Sequence, residues 1–293
     1  MEQITFKTKN INARVCTWGD KDNPTIICLH GLGSTNLSFL EVGELLKDKY
    51  YIVSIELPGH GKTPAFDNDE DYAVPNLISW LSSIINQFEK ERFFIMAHSW
   101  GGCIALHYAA LYPKKVRKML LIDGGYHQKQ DIYDYFSNVD REKLNFHPNC
   151  SLAEEIAEYK ADFDGYVFSN WNDFLAVEKE NYARWSPLLE QASMDLMKED
   201  TDGTIRFCAS GETARKSIIS MYNYPTSLIY DRLKTQILLL QSTLPESCNE
   251  IRTILVDDFQ KHTNCIVKRI AASHLIHWDN PLLVANIAKE WLK

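Results

Sequence analysis

Four short, near-continuous apolar runs limit what this chain can fold into more than anything else in it. They occupy residues 25–29, 51–55, 92–96 and 118–122, are rich in Ile, Val, Leu and Phe, and have strand length rather than helix length. A strand apolar on both faces must be covered on both faces, which points to a parallel sheet sandwiched between helices. The intervening segments supply the covers: residues 37–46, 77–88 and 102–111 place apolar side chains at three- and four-residue intervals, the period of crossover helices.

The rhythm stops after about Gly125 and resumes near Thr235, with strands expected at 237–240 and 265–270 and a closing helix at 281–292. The stretch between, 126–233, shows mainly helical periodicity, for example at 152–161 and 188–197, and few convincing strands. It also holds half of the chain's aromatic residues in little more than a third of its length. We read it as a helical insertion, with no Gly/Ser-rich linker to separate it from the rest.

At 293 residues the chain has room for two domains, or for one domain carrying a large insert. Lys and Arg number 31 against 39 Asp and Glu, a net charge of −8 that repels phosphate backbones and makes nucleic acid an unlikely partner. No apolar stretch has the ~20 residues that span a bilayer, and the first ten residues lack a secretory h-region, so the expected location is cytoplasmic. The seven cysteines form no Cys-x-x-Cys pair, which suggests neither a disulfide framework nor a thiolate zinc site. Cys28 and Cys103 read as small buried hydrophobes.

Chemistry concentrates at the ends of the expected strands. Ala97-His98-Ser99-Trp100-Gly101-Gly102 follows one strand and opens a helix. A serine there would sit on a sharp turn that lifts its hydroxyl out of the sheet, between small residues that let backbones approach. A Ser-x-Gly tripeptide occurs about once by chance in such a composition, so the flanks carry the information. A serine hydroxyl needs a base, and 272–281, between the last strand and last helix, offers His274 and His277, with Asp279 or Pro281 placed to start that helix. An acyl-transfer site also needs oxyanion donors, and the Gly-rich loop His30-Gly31-Leu32-Gly33 precedes a helix, with backbone N–H groups able to turn inward.

Together these pieces resemble the α/β-hydrolase superfamily: His30-Gly31, the run Glu56-Leu57-Pro58-Gly59-His60-Gly61, the elbow around Ser99, and a histidine followed at five and seven positions by Asp279 and Pro281. The resemblance implies a mostly parallel sheet covered by helices, with a catalytic domain of 1–125 and 234–293 and a cap at 126–233 that lies over the site. It implies Ser99 as nucleophile, His274 as general base and acid, and the Leu32 and Trp100 amides as the oxyanion hole. Ala97 stands where the family usually has Gly. The family's acid usually closes a Gly-x-x-Asp turn near 245, where this chain has Pro245. Two carboxylates compete for that role: Asp123, which ends the strand after the nucleophile's helix as in some members, and Glu246. A strand terminus fixes a side chain better than a Pro-containing loop, which favours Asp123.

The remaining histidines have plainer readings. His30 and His60 brace loops, His98 points away from the nucleophile, and His277 is a pocket wall or helix-start partner. The pair His274/His277 lacks a third ligand for zinc, and no phosphate-binding glycine motif is present. Trp100 is expected beside the reacting centre. The expectation is a serine hydrolase of a small, largely apolar ester, lactone or thioester, working without metal or organic cofactor; C–C hydrolysis or a lyase reaction by the same Ser/His pair, and a non-catalytic binding member, are the alternatives. Serine at the elbow argues against epoxide or haloalkane chemistry, which in this superfamily uses a carboxylate nucleophile. The sequence carries no signal for oligomeric state.

Overall fold

The computed structural model describes residues 1–140 and 146–293. Eight strands form the central sheet: β1 (Glu2–Lys7), β2 (Asn12–Trp18), β3 (Thr25–Leu29), β4 (Tyr51–Ile55), β5 (Phe93–His98), β6 (Val116–Ile122), then β10 (Gln236–Ser242) and β11 (Cys265–Ile270). Their spatial order is β1-β2-β4-β3-β5-β6-β10-β11. From β4 onward all neighbours are parallel, while β1–β2 and β2–β4 pair antiparallel.

The apolar runs are continuous because each strand feeds two cores. In β3, Ile27 and Leu29 join one layer, Ile26 and Cys28 the other; in β5, Phe93, Ile95 and Ala97 alternate in the same way with Phe94 and Met96. The layers are closed by α1 (Leu40–Leu46), α2 (Val74–Ile85), α3 (Trp100–Leu111), α9 (Asn249–His262), the short α10 (Ile276–Asp279) and α11 (Pro281–Trp291). The helix expected at 37–46 begins as a 3-10 turn, Asn36–Phe39, capped by the Thr35 hydroxyl on Leu37 N.

Between β6 and β10 the chain leaves the central sheet. It forms α4 (Lys129–Ser137), α5 (Leu152–Gly165), α6 (Trp171–Asn181), α7 (Pro187–Asp195) and α8 (Gly211–Asn223). Beside these helices it forms a small antiparallel sheet, β7 (Val167–Phe168), β9 (Ile205–Phe207) and β8 (Met197–Glu199), which the mainly helical periodicity of the segment does not announce. Strands of two or three residues are too short to leave a period in the sequence. Residues 141–145 of the insert lie outside the described residues.

The insert packs directly on the sheet domain. Phe174, Leu189, Leu196, Met197 and Ile205 share a core with Ile26, Phe94 and Met96. Arg14 on β2, itself buried, reaches both the buried Glu56 and the partly buried Asp195, and the Thr35 hydroxyl donates to Asp195 Oδ2 at 2.7 Å. Arg184 and the Ser186 hydroxyl, which caps α7, both bond Glu41 on α1. No helix among the described residues is long and apolar enough to cross a membrane.

Candidate active site

Ser99 separates β5 from α3 with φ 49° and ψ −120°, backbone values that side-chain-bearing residues rarely adopt. The glycines around it make that turn possible. A Cβ on Gly124 would lie 2.4 Å from Ser99 N, and one on Gly101 2.4 Å from Leu29 O, so the ends of β3, β5 and β6 approach closely only because both side chains are missing. Ser99 N donates to Ile122 O at 3.1 Å, and Gly102 N to Ser99 O at 2.8 Å, which anchors the elbow at both ends.

One strand over, Asp123 ends β6, is 1% exposed and also has positive φ, 41°. Its carboxylate collects four donors: His274 Nδ1 at 2.7 Å and Ser242 Oγ at 2.6 Å on Oδ2, and Ser242 N at 3.0 Å and the Tyr126 hydroxyl at 2.9 Å on Oδ1. Burial pushes this carboxyl up, but the His274 bond and charge, with the Ser242 bond, hold it well below the usual carboxylate range. It is therefore an anion at neutral pH. With Nδ1 committed to Asp123, His274 is left with Nε2 for the pocket that it shares with Ser99.

Glu246 is exposed, and the structure pairs His274 with Asp123 rather than with it. Ser242, which ends β10 three residues before Pro245, turns its amide and hydroxyl onto Asp123. Ser242 and Tyr126 were not among the residues singled out from sequence. The replaced Gly-x-x-Asp turn was the available signal for Ser242, since a donor there is what an acid on the neighbouring strand needs.

The loop after β3 is held by two histidines in neutral form. His30 Nε2 accepts Leu57 N at 2.9 Å and its Nδ1 donates to Gly31 O, while His60 Nε2 accepts Gly33 N at 3.0 Å and its Nδ1 donates to Pro58 O. Burial pulls His60 down to about 4, and burial together with His60 lowers His30 as well. The two amides that follow Leu32 are engaged, Gly33 N with His60 and Ser34 N with Gly31 O, and Trp100 N stands in the first turn of α3, where no intrahelical acceptor exists. The Trp100 side chain departs from expectation. It is 2% exposed, packs 5.5 Å from the His60 ring and lies in the sheet core rather than in the pocket wall.

His98 anchors the loop that carries the base: its Nε2 donates to His274 O at 3.0 Å, and its ring lies 4.7 Å from His274 and 4.6 Å from His277. Burial, followed by His277 and His274, keeps it neutral. His98 is also among the residues that line the pocket. His277 is buried, bonds the Ser38 hydroxyl at 2.7 Å and stacks on Phe39; burial lowers it to about 3. His274 and His277 thus serve different partners, Asp123 and Ser38. Asp279 does not cap α11. It accepts Ser273 N at 2.7 Å beside the base, and Asn280 caps the helix with Pro281 in its first turn. His127, unnoticed in the sequence, stands edge-on to His274 at 6.3 Å, and burial lowers it to about 4.

Above Ser99 and His274 lies a pocket of about 700 Å³. Its floor includes Leu32, Gly33 and His98; the insert supplies Tyr159, Phe163, Tyr166, Glu178, Tyr182 and Phe207. The five aromatic residues among these are ones whose position the sequence left open. Phe163 and Phe207 pack against Gly33, so the roof touches the loop that carries the Leu32 amide.

The description "alpha/beta hydrolase fold" belongs to the family model that matches residues 24–165. The chain is 24% identical over 289 residues to a serine hydrolase-like protein of Danio rerio, covering 94% of this chain and 83% of that one. It is 26% identical over 299 residues to epoxide hydrolase 4 of Homo sapiens, covering 99% and 78%. Among solved structures, a thioesterase domain from the curacin biosynthetic pathway superposes with a TM-score of 0.70 at 15% identity, covering 98% of both chains. The chain has the α/β-hydrolase fold. In this fold the elbow serine, the buried carboxylate and the histidine come from the ends of β5 and β6 and the loop after β11, all on one edge of the sheet.

Proposed function

We propose that this protein is a serine hydrolase that cleaves a carboxylic ester, lactone or thioester through an acyl-enzyme, with the segment 126–233 acting as cap. The observation that carries the reading is the 2.7 Å bond from His274 to a four-donor Asp123, with Ser99 in the same pocket on a positive-φ turn. Ser99 Oγ attacks the carbonyl carbon while His274 Nε2 takes its proton; Asp123 stabilises the imidazolium that forms. The Leu32 and Trp100 amides receive the oxyanion, each such donor contributing about 3 kcal/mol to transition-state stability. His274 then returns the proton to the leaving alcohol or thiol, activates a water, and Ser99 is released when the acyl group departs as acid. A hydroxyl nucleophile at the elbow favours acyl transfer over epoxide opening.

The test is labelling by a fluorophosphonate together with turnover of p-nitrophenyl acetate and butanoate. Ser99 is expected to be labelled, p-nitrophenol to appear with a burst, and Ser99→Ala to lose activity on the order of 10⁶-fold. Absence of both label and ester turnover overturns the reading. Turnover of a vinylogous diketone without ester cleavage replaces it with C–C hydrolysis.

A further inference from the structure

Glu178 is 3% exposed and yet lines the pocket, on the side built by the insert. A carboxylate taken out of water is costly unless its charge is met. Glu178 Oε1 accepts the Tyr166 hydroxyl at 2.6 Å, and Tyr182, one turn along at the end of α6, faces the same carboxylate, its phenol kept protonated by burial and by the Glu178 charge. Phenols satisfy lone pairs but bring no positive charge, and among the described residues Glu178 has no cationic partner.

The rest of the wall repeats that pattern. Among the described residues no Lys or Arg lines the pocket, and its acidic members are Glu178 and Asp162. The ring of Tyr182 meets Trp278 edge to face at 5.2 Å, and the Tyr166 hydroxyl bonds Glu178, so three aromatic residues line the pocket together with the carboxylate. Rings with negative faces around a buried anion favour an organic cation, by cation–π attraction and by direct charge pairing. They disfavour an anionic group in the same place.

From this arrangement we infer that the Glu178 corner is a subsite for a cationic group, an alkylammonium or quaternary ammonium carried by the substrate. The inference rests on the ester-hydrolase reading for the reaction, but the subsite itself binds whether or not the bond is cleaved. Ser99 then attacks an ester whose other end is held by Glu178, Tyr166, Tyr182 and Trp278. The subsite decides which esters are substrates.

Two arms test this. In the first, kcat/KM is compared for acetyl and butanoyl esters of choline and of 3,3-dimethylbutan-1-ol, its uncharged carbon analogue. The cationic esters are expected to be favoured at least tenfold. Glu178→Gln should bring that ratio down by tenfold or more, whereas Tyr166→Phe, which removes a hydrogen bond but no charge, should keep it within about threefold. In the second arm, choline and 3,3-dimethylbutan-1-ol are titrated calorimetrically into Ser99→Ala, where no reaction intervenes. Tighter binding of choline, weakened tenfold or more in Ser99→Ala/Glu178→Gln, supports the subsite. Equal or tighter binding of the alcohol in Ser99→Ala overturns it, even where Glu178→Gln fails to fold. If no ester is cleaved and Ser99 is not labelled, the ester reading falls while the calorimetric arm still decides the subsite.

Discussion

Ser99 and Asp123 stand at the ends of neighbouring strands with backbone angles that few side chains tolerate, whereas the residues facing them across the pocket ride on ordinary helices, α5 and α6. The floor owes its geometry to the main chain: two missing Cβ atoms, two positive φ values and amides that stay in place because histidines hold the loop around them. The roof owes its shape to side chains, chiefly aromatic rings and one buried carboxylate. A reaction needs atoms fixed to a fraction of an ångström, and backbone supplies that; a preference among substrates needs only surfaces that can be exchanged one residue at a time. The following substitutions separate the two.

The largest effect belongs to the floor. Asp123→Asn leaves shape but removes the charge that orients and stabilises His274, and is expected to lower kcat about 10⁴-fold, with KM little changed. Glu246→Ala should stay within about twofold, and steady-state kinetics on one ester compares the two directly. The same substitution has a pH signature. Because the folded Asp123 carboxyl lies below the ordinary value of about 4, its contribution to stability is complete above that pH and is lost as pH falls below it toward the folded value. The melting-temperature gap between the wild type and Asp123→Asn should therefore be widest near pH 6 and shrink toward pH 3. A gap that widens on acidification would show that the charge is not what the site stabilises.

Next comes the joint between roof and floor. Arg14→Ala strands the buried Glu56 and the partly buried Asp195 as uncompensated charges and should cost about 3–5 kcal/mol, read by denaturant unfolding. Gly124→Ala drives a Cβ into the Ser99 backbone. Overpacking of that kind costs about 1–3 kcal/mol, and here it should also lower kcat, since the atom displaced belongs to the nucleophile. The smallest change is expected in the roof: Phe207→Ala should alter kcat/KM for bulky relative to small acyl esters by about tenfold and leave the fluorophosphonate rate on Ser99 within a fewfold. Equal losses on all esters would mean that the roof shapes the reacting geometry as well.

The same division explains what could be read before any coordinates. Strand runs, the elbow and the order of Ser99, Asp123 and His274 are local patterns, imposed by short-range backbone demands, and they are where the structure puts them. β1 and β2 escaped because β1 is half solvated along an edge and β2 is interrupted by Arg14, whose burial depends on partners at positions 56 and 195. Ser242 reaches Asp123 through the pairing of β6 with β10, a contact no local period announces, while Tyr126 lies three residues beyond Asp123 and turns its hydroxyl back onto it. The Trp100 side chain was misplaced for a related reason. Sequence adjacency to Ser99 brings its amide to the site, while the helix turns its ring into the core.

The order of the parts along the chain has one more consequence. Leu32, Ser99, Trp100 and Asp123 all precede residue 126, but His274 arrives with the loop after β11, next to the final helix. In a chain made from its N-terminus, Ser99 is therefore synthesised well over a hundred residues before His274. On the proposed function, the hydroxyl gains its base only once β11 pairs with β10 and the loop after it brings the imidazole to Asp123, and the segment 126–233 precedes that loop in the chain. On that reading, the order of the parts leaves the serine without its base until the residues of that segment that line the pocket above it have been made.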